Sequence, residues 1–322
     1  MIDSLRGLCA ALAFVFPMGV FPALAQPAAT VPMKAEQIGK HAWYVRGASG
    51  PASRANQGFM SNAGFVVTRE GVVVFDALGT PALAQALIKA IRKVTRQPIR
   101  RVIVSHYHAD HYYGLQPFKA VGAEIWAHAL GRPVLTSAAA RDRLRQRQEL
   151  LSPWVDDSIR IVPADLWLEG DTDFKLGGLH FAVRHVGPAH SAEDLALYVR
   201  EDGVLFAGDL VFQGRVPFVG DADSKRWLAA LDTLLALKPR VLVPGHGAVS
   251  RDPASDLALT RDYLRYLRET MRQAVADFVP FEEAYARADW RAFSKLPAFE
   301  AANRPNAYNT YLLMEQESLR VK

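Results

Sequence analysis

Cysteine is almost missing from this chain: Cys9 is the only one in 322 residues. The folded body can therefore hold no intramolecular disulfide, no thiolate metal site and no cysteine nucleophile. A dominant charge of one sign is missing as well, because 38 Lys and Arg against 33 Asp and Glu leave a formal net charge of only +5. The cations are scattered except for a short cluster of Arg141, Arg143, Arg145 and Arg147, which is no basis for nucleic-acid binding. Long apolar runs are missing after Leu24. The one run, Gly7 to Leu24, follows Arg6, is interrupted by Pro17 and Pro22, and leads into Ala23-Leu24-Ala25 before Gln26. That charged, apolar, small-residue order is a secretory signal peptide rather than a membrane span, with cleavage expected after Ala25. The mature protein is then expected to be periplasmic or secreted, with no stable membrane anchor.

What remains has ordinary globular composition, 50% hydrophobic and 22% charged, which excludes disordered, collagen-like and coiled-coil chains. Residues 26–40 are Pro/Ala-rich and polar and read as a flexible leader. From His41 the β-branched and aromatic stretches His41 to Arg46, Asn62 to Thr68 and Gly71 to Asp76 predict consecutive strands, with Gly47 to Ser61 as a mobile hairpin loop. Pro81 to Thr95 carries Leu83, Leu87, Ile88 and Ile91 at helical spacing and precedes the apolar strand Val102 to Val104. The alternation resumes at Ile125 to Ala127, at Val204 to Ala207, in a helix starting at Ser224 as N-cap, and at Val241 to Val243. Two mixed α/β halves follow from this pattern. Arg141 to Leu151 predicts an exposed charged helix, and after Asp252 the chain is mostly helical.

Chemistry concentrates in Ser105-His106-Tyr107-His108-Ala109-Asp110-His111, immediately after the strand Val102 to Val104. Three imidazoles and a carboxylate within six positions at a strand end supply nitrogen and oxygen donors suited to zinc or a similar divalent ion. Three further donors occupy tight turns after apolar strands: His190 in Gly187-Pro188-Ala189-His190-Ser191, Asp209 in Phe206-Ala207-Gly208-Asp209, and His246 in Pro244-Gly245-His246-Gly247. The remaining histidines His41, His128, His180 and His185 read as structural or surface residues. Tyr107, Tyr112 and Tyr113 read as core or pocket lining.

The set, in its order and local turns, resembles the metallo-β-lactamase-fold hydrolases. The resemblance implies an α/β, four-layer αββα sandwich over residues 41–252, with a C-terminal helical extension over 253–322 packed on it. It implies one metal on His106, His108 and His190, a second on Asp110, His111 and His246, and Asp209 bridging both. Two Zn2+ ions per chain are expected, with Fe or Mn as alternatives, and a hydroxide shared between them would attack a carbonyl. Asp110 would orient the water or shuttle its proton, so Asp110 and Asp209 are the candidate catalytic residues. Asp76 resembles the family's supporting carboxylate, although a turn or N-cap role fits the sequence equally.

Within this superfamily, Asp209 stands where true β-lactamases generally have Cys or Ser, and Phe212 stands where the best-known group has a carboxylate-holding Lys. The pattern is closer to glyoxalase-II-like thioesterases and to exported zinc hydrolases associated with sulfur-oxidation and quinoprotein systems. The expected reaction is hydrolysis of an ester, thioester or related carbonyl in a small-molecule substrate, with β-lactam turnover weak. An iron persulfide dioxygenase of the same fold, a phosphodiesterase or nuclease, and a non-catalytic metal-binding protein are the competing classes. Arg215, the nearest downstream cation, reads as a solvated loop residue in preference to an anion site.

Overall fold

The computed structural model describes residues 27–320. The signal-peptide reading falls outside these residues. Among those described, no helix is long and apolar enough to cross a membrane.

Along the chain come β1 (Ala35–Gln37), β2 (Ala42–Val45), β3 (Ala63–Val67), β4 (Val72–Phe75), α1 (Pro81–Val94), β5 (Ile99–Ile103), α2 (Ala109–Tyr112), α3 (Leu115–Ala120), β6 (Glu124–His128), α4 (Arg132–Thr136) and α5 (Ala138–Leu151). Then follow β7 (Leu166–Leu168), β8 (Thr172–Leu176), β9 (Leu179–His185), β10 (Leu195–Val199), β11 (Val204–Phe212), α6 (Ser224–Ala236), β12 (Val241–His246), α7 (Pro253–Asp256), α8 (Ala258–Ala276), α9 (Phe281–Arg287) and α10 (Phe299–Arg320). Strands β1 to β7 form one sheet in sequence order, and β8 to β12 form a second.

Three apolar clusters turn these sheets into four layers. Val73, Phe75 and Ile103 of the first sheet meet Leu197, Phe206 and Val243 of the second. On the far side of the first sheet, Val72, Val74 and Val102 pack against Leu83, Leu87 and Ile91 of α1. On the far side of the second, Leu205 and Leu242 pack against Trp227 and Leu231 of α6 and Leu264 and Met271 of α8. Central strands such as β4 and β11 are thus covered on both faces, which is why they read as unbroken apolar runs rather than alternating ones. The chain is an α/β, αββα sandwich with a C-terminal helical region.

Helix boundaries follow local chemistry. Pro81 opens α1, and the Thr80 hydroxyl accepts from the Leu83 amide at 3.1 Å. Asp223, not Ser224, caps α6, because its carboxylate accepts from the Arg226 amide. The stretch expected to be a leader is partly structured, since Ala35–Gln37 pairs antiparallel with Trp43–Val45 as the sheet edge. Gly47 to Ser61 connects an antiparallel pair, β2 and β3.

Two of the sheet contacts decide where a site can form. β4 pairs parallel with β5, and β11 pairs parallel with β12, so four carboxyl ends open toward one edge of the sandwich. Asn62 holds that edge together: its amide nitrogen donates to the carbonyls of Pro244 (2.8 Å) and Gly247 (2.9 Å), and its backbone N–H donates to Gly245.

Candidate metal centre

Every donor singled out in the sequence arrives at this edge. His106 and His108 follow β5, Asp110 and His111 start α2, His190 lies in the loop between β9 and β10, Asp209 sits in β11, and His246 ends β12. Their donor atoms form two groups, His106, His108, His190 and Asp209 in one and Asp110, His111 and His246 in the other, each within 4.8 Å. Asp209 lies between them. Its Oδ2 faces His106 Nε2 (3.9 Å) and His190 Nε2 (3.5 Å), while its Oδ1 faces His111 Nε2 (3.1 Å) and His246 Nε2 (3.2 Å). Asp110 Oδ2 lies 3.3 Å from His246 Nε2 and 3.6 Å from His111 Nε2.

The imidazoles are fixed from behind. Asp76 Oδ2 accepts from His111 Nδ1 at 2.8 Å, and the same oxygen accepts from the Ser105 hydroxyl at 2.9 Å. That hydroxyl in turn accepts from His106 Nδ1 at 2.9 Å, and Asp76 Oδ1 takes the Ser105 backbone N–H at 2.7 Å. The Met60 carbonyl accepts from His246 Nδ1 at 2.8 Å. In three histidines, then, Nδ1 carries a proton and Nε2 is directed at the centre. Asp76 is thus a supporting carboxylate rather than a cap. It holds a left-handed backbone, φ 66°, a conformation Asp and Asn tolerate better than other side chains.

Donor atoms this deeply buried ordinarily find hydrogen bonds. Here His106 Nε2, His111 Nε2, Asp110 Oδ2 and Asp209 Oδ1 have none, although they lie within ion-pair reach of one another. Orphaned nitrogen and carboxylate donors converging in two clusters are what cations would satisfy, and the residues present fit metal binding. The local field agrees. Burial pushes the Asp209 and Asp110 carboxyls upward, but neighbouring His246 and His111 outweigh it and hold both well below the ordinary carboxylate range. Burial lowers His111, yet Asp209, Asp110 and Asp76 carry it well above its usual value. His106 goes the other way, lowered by burial and by His111 and His108.

A glycine makes the close packing of Asp209 feasible. A Cβ on Gly245 would lie 2.0 Å from Asp209 Oδ1 and 2.7 Å from the Gly208 carbonyl carbon.

The donors open onto a cavity of about 400 Å³. His108, Asp110, Asp209 and His246 form its floor, and Phe212 joins them, stacked on His246 with centroids 5.1 Å apart. Its walls come from elsewhere: Pro51, Ala52 and Met60 of the β2–β3 loop, Arg143, Gln146, Arg147 and Leu150 of α5, and Ala298, Ala301 and Ala302 at the start of α10.

Arg215 corrects the sequence reading. It is not solvated: it is 3% exposed and lines the same cavity. The loop that carries it is tied down by α10 and the segment before it, because the Val216 N–H donates to the Pro297 carbonyl and the Asn306 side chain of α10 bonds both Val219 N and Pro217 O. Nor is α5 simply a solvated face. Arg143 and Arg147 sit four residues apart, both half-buried, and Arg143 donates to the Tyr107 carbonyl at 3.1 Å. Tyr107, Tyr112 and Tyr113 pack in the core under α1. Of the other histidines, His41 pairs with Asp202 at 2.8 Å, His180 pairs with Glu201, and His128 stacks on His185 with centroids 3.6 Å apart.

Sequence reasoning missed Ser105, Met60 and the α10 wall. Ser105 had a signal, a hydroxyl residue directly before the first ligand, but Met60 acts through its carbonyl, which leaves no trace in residue type.

A two-sheet sandwich with clustered His and Asp donors at the carboxyl ends of its strands defines a class of metal-binding α/β proteins. Residues 56–246 match the metallo-beta-lactamase superfamily, more than half of the chain, and the protein belongs to that family. It is 25% identical over 236 residues to the linear primary-alkylsulfatase of Pseudomonas sp. (strain ATCC 19151), a match covering 62% of this chain and 44% of that protein. It is 23% identical over 193 residues to metallo-beta-lactamase IND-1 of Chryseobacterium indologenes, covering 58% of this chain and 72% of the relative. The chain thus spans less than half the length of the alkylsulfatase. The solved metallo-beta-lactamase from Pontibacter korlensis superposes with a TM-score of 0.58 at 23% identity, over 73% of this chain and 99% of that one, which establishes the shared fold.

Proposed function

We propose that the protein is an exported metal-dependent hydrolase with a binuclear zinc centre, acting on an ester, thioester or related carbonyl in a small-molecule substrate. One observation carries the reading: the two carboxylate oxygens of Asp209 face two separate donor groups, and each group has enough further donors for an ion of its own. This favours two cations over the single iron of a dioxygenase. The names of the relatives, an alkylsulfatase and β-lactamases, place hydrolytic chemistry among similar chains. Export rests on the signal-peptide pattern of residues 1–25.

His106, His108, His190 and Asp209 would hold one ion, and Asp110, His111 and His246, with Asp209, the other. Such ions lower the pKa of a bound water and polarise the electrophile. The chain supplies the rest. Asp76 and Ser105 lock the imidazoles so that no reorganisation accompanies the reaction. Asp110, which lines the cavity, would orient the attacking water and shuttle its proton toward the leaving group. Phe212 and Phe218 exclude bulk water from one side.

The test is metal content of the purified mature protein, followed by hydrolysis of thioester, lactone, ester, β-lactam and sulfate-ester panels in 18O-labelled water. About two zinc ions per chain and solvent oxygen in the product are expected. One iron per chain with an inactive zinc form, or a substrate-derived acyl group trapped on a side chain, defeats the proposal.

A further inference from the structure

The cavity contains three guanidinium groups, Arg143, Arg147 and Arg215, and only two carboxylates, Asp110 and Asp209, both within the metal-donor groups. Among the described residues no carboxylate forms an ion pair with any of the three arginines. Arg215 is the extreme case. Its guanidinium is buried, yet its protein partners are two carbonyls at the edge of hydrogen-bond distance, Val216 and Gly50, both at 3.4 Å. A third neighbour, His246 Nδ1 at 3.3 Å, already gives its proton to Met60, so there two donors face each other. The only counter-charges in the cavity are the carboxylates Asp209 and Asp110. If those carboxylates neutralise cations, that support is spent, and a buried, poorly bonded charge is left on the cavity wall.

Apart from Gln146 and the metal-donor residues, the rest of the cavity is apolar. Leu150 and Phe218 stand at its mouth, each 43% exposed, and Met60, Phe212, Ala298 and Ala302 continue inward. Exposed large apolar side chains beside a cleft mark a surface that a ligand covers.

We propose that the site takes amphiphilic anions: an oxyanionic group of the substrate sits against Arg215, an apolar portion lies along Phe218, Leu150 and the α10 alanines, and Arg143 and Arg147 draw the anion in from solvent. The planar fork of Arg215 suits two parallel hydrogen bonds to carboxylate, sulfonate or sulfate oxygens. The two arginines of α5 are half-exposed and act at longer range, so their contribution is screened by salt. The inference rests on the hydrolase reading for what happens to the substrate, but not for what is bound.

It is tested by calorimetric titration of the zinc-loaded protein with three eight-carbon probes that the enzyme cannot hydrolyse: octanoate, octanesulfonate and the neutral 1-octanol. At least one anion should bind about tenfold tighter than octanol, and the tighter of the two identifies the headgroup. Arg215→Met should abolish that advantage and Arg215→Lys should keep part of it. Arg143→Gln with Arg147→Gln should weaken anion binding at low salt and flatten its salt dependence. Octanol binding as tightly as both anions, or Arg215→Met retaining the full advantage because the anion rests on the metal ions alone, overturns the proposal. Should Arg215→Met fail to fold, the wild-type salt dependence decides: anion affinity that does not change between low and high salt overturns it equally. Because no probe is turned over, lack of hydrolysis in the ester panels would sink the functional reading and leave the binding result standing.

Discussion

The floor of the cavity and its walls are built on opposite principles. On the floor, Asp76, Ser105 and the Met60 carbonyl fix three imidazoles from behind, and four strand ends converge under the pull of three apolar clusters. The walls are contributed by a loop, the half-exposed α5 and the start of α10, with small alanines facing inward. The difference teaches where this molecule keeps its chemistry and where it keeps its choice. A donor set must be held to fractions of an ångström, so it lives on sheets, whereas recognition tolerates variation and lives on helices and loops at the rim.

The comparison breaks most severely if the floor is cut at its centre. Asp209→Ala should lower hydrolysis by about a thousandfold or more and reduce bound zinc from about two ions per chain, read by metal analysis beside kinetics. Gly245→Ala strikes the same carboxylate by volume instead of charge. The new methyl would meet Asp209 and the Gly208 backbone, so a loss of about 1–3 kcal/mol in denaturant unfolding, with lower metal occupancy, is expected. Asp76→Asn keeps the left-handed backbone accessible but withdraws the charge behind His111. Metal affinity measured by chelator competition should fall about tenfold to a hundredfold with the fold intact.

Altering the wall should do the reverse. Ala301→Trp, at an exposed position facing the cavity, should leave metal content as in the wild type while raising KM for long-chain substrates about fivefold to tenfold. A metal loss from this change would show that wall and floor are not separable.

An effect on stability alone lies outside both. Burial, and secondarily His185, lowers the His128 pKa to about 4. Between that value and the usual 6.5 the unfolded chain binds a proton that the folded chain refuses, so this contribution to stability is complete above about pH 6.5 and drains away as pH falls toward 4. His128→Gln should flatten the wild-type slope of unfolding free energy in this window, by at most about 1.4 kcal/mol per pH unit.

The floor was legible in the sequence because metal donors are specific residue types that cannot be exchanged, and because apolar strands announce the turns that follow them. Strands β2 to β6, β11 and β12 were readable for the same reason. The strands β7 to β10 escaped: Thr172–Leu176 alternates at the surface with Asp173 and Lys175 outward, and its pairing to β9 rather than its composition makes it a strand. Arg215 misled because a Gly-flanked arginine looks solvated until a distant helix and the segment before it, through Asn306 and Pro297, fold over its loop. Helix α10 itself gives little sign of its orientation in sequence, since its buried positions include Asn303, Asn306 and Thr310, polar residues satisfied by Tyr263 and by backbone.

That tether between α10 and the Arg215 loop has an evolutionary reading. The family match ends at His246, so the helix that shapes the cavity and steadies its buried cation lies beyond the matched segment. Drift, insertion or loss in those last seventy or so residues would reshape the cavity wall without a single change among the candidate metal donors. Kinship measured over the matched segment therefore reports on the floor of the cavity and is silent on this part of its wall.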